Sequence, residues 1–143
     1  MSEPLGSGPR AAELGAPVEV RVAAELAQLP VLRAMAETIT LLSEFNLDEI
    51  SDVTLAVDQI CSDLIADAVA GAELVCRFQL TDGVLNVAVS TNTRTADTPD
   101  RQGFGWHVLR TLTDSIAVTR EALATSGPGY HTTVELSKAK GGE

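Results

Sequence analysis

Apolar and charged residues alternate along Pro17-Val-Glu-Val-Arg-Val-Ala23, the two-residue period of a half-buried strand. The period then lengthens. Leu32, Met35, Ile39 and Leu42 recur at helical spacing behind Pro30, a residue suited to a first helical turn. After a break at Asn46-Leu-Asp48, a second helix is expected over 49–69, capped by Asp48 and stopped by Gly71. Its apolar face holds Ile50, Val53, Val57, Ile60, Leu64 and Ala68. Leu55, Cys61 and Ile65 widen that face, so cover on more than one side is expected. Strands over Glu73–Leu80 and Val84–Thr91 flank Asp82-Gly83, a tight-hairpin signal. Asn92–Gln102 is polar, contains Pro99 and reads as a mobile loop. A third helix is expected over Gly103–Asp114. Two last strands, Ser115–Glu121 and Tyr130–Ser137, are joined by a turn at 124–129.

This β-α-α-β-β-α-β-β order predicts an α+β, two-layer sandwich, with three helices packed on one face of a mixed, mostly antiparallel sheet. Residues 1–16, rich in Gly, Pro, Ser and Ala, are expected to be a disordered tail, 17–138 the folded domain, and 139–143 a frayed end. The chain has 143 residues and a formal net charge of -10. One core fits that length. The charge argues against direct nucleic-acid binding, because phosphate contacts need Lys and Arg. It is compatible with a basic protein partner and equally with plain solubility. No apolar run is long enough to cross a membrane and the N-terminus lacks the blocks of a secretory signal, so a cytoplasmic protein is expected. Cys61 and Cys76 lie among apolar residues and read as buried thiols.

Two segments carry candidate chemistry. Gln59, Asp63 and Asp67 recur every four residues within Leu55–Ala68, which puts them on one helix face. Gly103-Phe-Gly-Trp106 opens the third helix with a Gly-x-Gly entry, whose bare N–H groups favour an anion. Each has a plain reading beside the functional one: a solvated stripe in the first case, a loop–helix boundary in the second. His107 and His131 are isolated, and Ser62 belongs to no recognisable Ser-His-Asp set.

The segment order, with Leu55-Ala-Val-Asp-Gln-Ile-Cys-Ser-Asp-Leu-Ile65, Gly103-Phe-Gly-Trp-His-Val-Leu-Arg-Thr-Leu-Thr-Asp114 and Gly129-Tyr-His-Thr-Thr-Val-Glu-Leu-Ser-Lys138, resembles the anti-sigma factor serine kinases of the GHKL ATPase superfamily. The likeness covers roughly residues 17–138. It implies ATP and Mg²⁺ as cofactors. It also implies a sigma factor as the captured partner, an anti-anti-sigma factor as antagonist, and a homodimer built in part from the N-terminal strand and first helix. Gln59 falls where the family has its glutamate base, and an amide has no useful basicity near neutral pH. Asp58, next to it, points about 100° around the helix and is a poor substitute. Asp63 falls on the magnesium-ligand asparagine, and a carboxylate oxygen is a good ligand for that ion. Thr91 and Thr93 fall on the Asp-x-Gly that reads adenine, and a hydroxyl lacks the charge assistance of a carboxylate. Gly103 and Gly105 match the phosphate glycines. Thr133 matches the threonine of the closing strand, and Asp67 completes the cofactor-side set. The resemblance therefore implies a bacterial stress-response anti-sigma factor acting by protein capture. As an alternative it implies an ATP-dependent serine kinase, its activity weak or lost at Gln59. A third reading keeps ATP as an allosteric ligand that closes the 92–102 loop.

Overall fold

A computed structural model describes residues 16–123 and 128–141. The elements run β1 (Val18–Ala23), α1 (Leu29–Leu42), α2 (Leu47–Ala66), β2 (Glu73–Thr81), β3 (Val84–Thr93), α3 (Phe104–Leu112), β4 (Ser115–Ala122) and β5 (Tyr130–Ala139). A short 3-10 turn at Leu26–Gln28 leads into α1. The five strands form one sheet in the order β1-β2-β3-β5-β4. All four of its strand pairings are antiparallel. The expected α+β sandwich is found, with no parallel pairing among the described strands.

Two local rules set element boundaries, one at a helix and one at a hairpin. Asn46 caps α2: its side chain accepts from the Glu49 N–H, and the Glu49 carboxylate accepts from the Asn46 N–H. This reciprocal box starts α2 two residues before the expected boundary and displaces Asp48 from the capping role. At the hairpin, Asp82 and Gly83 both adopt positive φ, 54° and 78°, as a tight two-residue turn requires. The helix stop differs too. α2 ends at Ala66, and Gly71 lies beyond it in the turn before β2, at φ 79°.

Alternation along the strands sends Leu74, Cys76, Phe78, Leu80, Leu85, Val87, Val89, Val134 and Leu136 to one face. There they meet Leu32, Ile39, Val53, Val57, Ile60 and Leu64 of the helices in a single core. Cys61 and Cys76 are buried in it. Two apolar positions depart from the sequence pattern. Leu42 is 63% exposed at the last turn of α1, and Leu55 is 54% exposed on α2. Leu55 sits on the polar stripe one turn before Gln59, so its side stays outside the core.

Candidate functional site

The sheet and α1 hold one side of α2, which leaves the stripe that carries Gln59 and Asp63 facing the start of α3. Between them lies a cleft of about 520 Å³, lined by Gln59, Asp63, Gly103, Gly105 and Trp106. The loop that follows β3 supplies the remaining wall, with Asp97, Thr98, Pro99 and Asp100. The amide-and-carboxylate stripe and the paired glycines, 40 residues and more apart in sequence, thus meet in one place.

Inside the cleft the Gln59 Nε2 donates to Asp63 Oδ1 at 2.9 Å. Burial pushes the Asp63 carboxyl above its ordinary value, and the hydrogen bond from Gln59 pulls the other way. Gly105 lets the two helices close on this pair: a Cβ there would stand 3.3 Å from Gln59 Nε2. Gly103 caps α3 with extended backbone and no side-chain hydrogen bond. Asp100 fills that position instead. Its backbone carbonyl accepts from the Gly103 N–H at 3.1 Å, its Oδ1 accepts from the Gln102 N–H at 3.0 Å, and a Cβ on Gly103 would lie 3.0 Å from its Oδ2. A carboxylate at the first turn of a helix is favourably placed against the helix dipole.

The other sequence-predicted residues lie elsewhere. Asp67 follows the last turn of α2 and is buried. Its Oδ2 accepts from the Thr95 hydroxyl at 2.7 Å and the Thr95 N–H at 3.2 Å, and its Oδ1 pairs with Arg94 at 3.5 Å. It fastens the end of α2 to the loop rather than lining the cleft. Thr91 is buried and donates its hydroxyl to the Glu73 carbonyl at 2.7 Å. Thr133 pairs in register with Ser90 and Thr119. Alternation puts it on the helix-free face of the sheet, away from the cleft. Its neighbour Thr132 is the inward residue, buried, with its hydroxyl 2.8 Å from that of Thr93. The placement of Thr133 differs from the sequence expectation because β5 has a strict two-residue period, and a shift of one position changes the face.

The segment read as a mobile loop is fastened at several points. The Arg94 N–H donates to the Asp67 carbonyl at 2.8 Å, and Arg120 donates to the Thr98 carbonyl at 2.9 Å. The Thr98–Pro99 peptide bond is cis. Sequence reasoning missed Asp97, Asp100 and Trp106 as cleft residues. The one signal was local: two aspartates flanking a proline just before the glycine entry. Asp58, already set aside as a base, pairs with Arg33 at 2.7 Å.

Chemically the cleft is rich in acceptors. Asp63, Asp97 and Asp100 line it, and no Lys or Arg does. Gln59 offers two amide N–H donors, one of them committed to Asp63. Among the described residues no group of three His, Cys, Asp or Glu side chains is gathered closely enough to hold a metal ion.

No family model matches the chain. The chain is similar to the anti-sigma-F factor RsbW of two strains of Mycobacterium tuberculosis, 33% identical over 99 residues in each. The match takes in 69% of this chain and 59% of those relatives, so the chain spans less than two thirds of their length. In fold it is similar to the crystal structure of the RsbU and RsbW domains of a Mycobacterium tuberculosis protein, with a TM-score of 0.61 at 15% identity. That superposition covers 87% of this chain and 32% of the other.

Proposed function

We propose that this chain, an RsbW-like domain of the GHKL fold, is a cytoplasmic anti-sigma factor that captures an alternative sigma factor and yields it to a competing anti-anti-sigma protein. The observation that carries this reading is the 33% identity over 99 residues to proteins named as anti-sigma-F factors. The surface supports it in two ways. Twenty acidic residues against ten basic ones attract a partner with basic helices and speed the encounter. Uncovered leucines stand where α1 meets α2: Leu41, Leu42 and Leu47 are 61%, 63% and 81% exposed. Apolar side chains gathered on a charged surface are contact material for a partner. A homodimer, with β1 and α1 at its interface, fits the same reading.

The serine kinase alternative has less support. Gln59 stands where a base is expected, and one of its amide N–H groups is bonded to Asp63. Loss of general-base help typically costs about 10²–10⁴ in rate. The capture reading is tested by mixing the purified chain with each alternative sigma factor of the same cell on a sizing column. Co-elution of one of them is expected; separate elution of all of them removes the reading.

A further inference from the structure

We infer that the cleft between α2 and α3 excludes nucleoside triphosphates, and that the Asp100 carboxylate is the anion resident at the start of α3. The inference rests on the RsbW-like reading, because that fold brings with it the expectation of ATP. It concerns how the same site is regulated.

The residues present do not fit ATP at any of its three parts. At the phosphates, bare glycine N–H groups need open space in front of them. The Gly103 N–H is already taken by the Asp100 carbonyl at 3.1 Å, and side chains crowd both glycines. The Gln59 amide stands over Gly105, 3.3 Å from where a Cβ would be, and the Asp100 carboxylate stands over Gly103 at 3.0 Å. A phosphate entering there meets a negative charge held in place by the Gln102 N–H. The wall around it adds Asp63 and Asp97. Like charges brought together at such range oppose binding. The nearby cations are directed elsewhere. Arg94 turns to Asp67 and the Ala66 carbonyl, and Arg120 donates to the Thr98 carbonyl.

A magnesium ion is the usual answer to such repulsion, since it bridges carboxylates and phosphates. The Asp63 carboxylate that would hold it already accepts from the Gln59 amide at 2.9 Å. At the adenine, the position of the expected carboxylate is Thr91, whose hydroxyl is donated to the Glu73 carbonyl. A hydroxyl used as a donor there offers the adenine amino group a weaker acceptor and no charge. The glycine entry thus has the backbone of a phosphate site while the chain's own side chains crowd the space beside it. Partner exchange at this domain then proceeds by protein competition alone, without a nucleotide cycle.

Trp106 is the chain's only tryptophan and lines the cleft, so its fluorescence reports on occupancy. The full chain is titrated with Mg-ATP and with Mg-ADP, with equilibrium dialysis of labelled ATP in parallel. No saturable signal is expected, which places any affinity weaker than about 1 mM. A saturable, stoichiometric signal below that concentration overturns the inference. Asp100→Asn removes the charge and keeps the backbone acceptor. It is expected to show a saturable fluorescence change with inorganic pyrophosphate at concentrations where the unaltered chain shows none. Silence from this variant as well overturns Asp100 as the resident anion. Nucleotide binding would leave sigma capture standing, and failed capture would leave nucleotide exclusion standing.

Discussion

Gln59 and Asp63 are joined by a 2.9 Å amide-to-carboxylate hydrogen bond, one turn apart on α2 and directly beneath Gly105. The bond fixes both chemical roles. The amide cannot take a substrate proton, and one of its two N–H groups is held by the carboxylate. The carboxylate is held in a site that disfavours its charge.

The pH dependence of stability follows from Asp63. Burial lifts its folded-state pKa above the ordinary 3.8, so the folded protein holds this proton to higher pH than the unfolded chain. Between the two values the folded state binds more protons, and stability falls as pH rises across that window. Asp63→Asn removes the penalty. The variant is expected to be more stable than the unaltered chain at neutral pH, by less than about 1 kcal/mol because the group is only half buried. The advantage is expected to vanish as pH falls below 3.8. Urea unfolding across a pH series checks this; an advantage independent of pH would place its origin elsewhere.

Asp67 ties α2 to the loop that walls the cleft. Asp67→Ala strips the acceptor from the Thr95 hydroxyl and N–H and from Arg94. Hydrogen bonds to a charged, buried acceptor put the loss at about 2–3 kcal/mol. Limited trypsin digestion, followed by mass spectrometry, is expected to show faster cutting after Arg94 and Arg101. Unchanged cutting would mean that the loop is held without this carboxylate.

Lys138 fastens the far end of α3. Its Nζ lies 3.1 Å from the Leu112 carbonyl and 3.1 Å from Asp52 Oδ2, with the side chain 14% exposed. It serves an orphan carbonyl at a helix C-terminus and joins that end to α2. Lys138→Met is expected to cost about 1–3 kcal/mol by thermal unfolding. Asp52→Asn in the same background should then cost less than it does alone; equal costs would show that the pair is not coupled.

The thiols of Cys61 and Cys76 face each other in the core. A hydrogen bond that the protonated Cys61 thiol makes to Cys76, together with burial, pushes the Cys61 thiol well above its ordinary value, and the thiolate is the reactive form. Neither cysteine is expected to be alkylated by iodoacetamide in the folded chain at pH values near neutrality, and both are expected to react once urea unfolds it. Labelling of the folded chain, read by intact mass, would contradict the packing.

Much of the fold was legible because its periods are clean. The alternation in Val18–Ala23 and the apolar ladder Val53–Val57–Ile60–Leu64 each allow one orientation, and the Asp82-Gly83 turn admits little else. Boundaries were less legible where two residues compete for one task. Asn46 and Asp48 are both good caps, and only the reciprocal partner Glu49 decides between them. Leu42 and Leu55 fit helical apolar spacing yet stay exposed, since periodicity cannot say where the neighbouring element ends. In the site, Gln59, Asp63, Gly103 and Gly105 were readable from spacing. Asp97 and Asp100 were not, because a loop has no period and its path is set by distant anchors such as Asp67 and Arg120. Thr133 was placed on the wrong face for a related reason: a motif matched by residue type leaves the strand phase open by one position.

Sigma capture is tested most directly by calorimetric titration of each alternative sigma factor of the same cell into the purified chain, with and without Mg-ATP. Saturable binding of at least one sigma factor is expected, with the same affinity in both conditions. Absence of binding by every sigma factor in both conditions would contradict it.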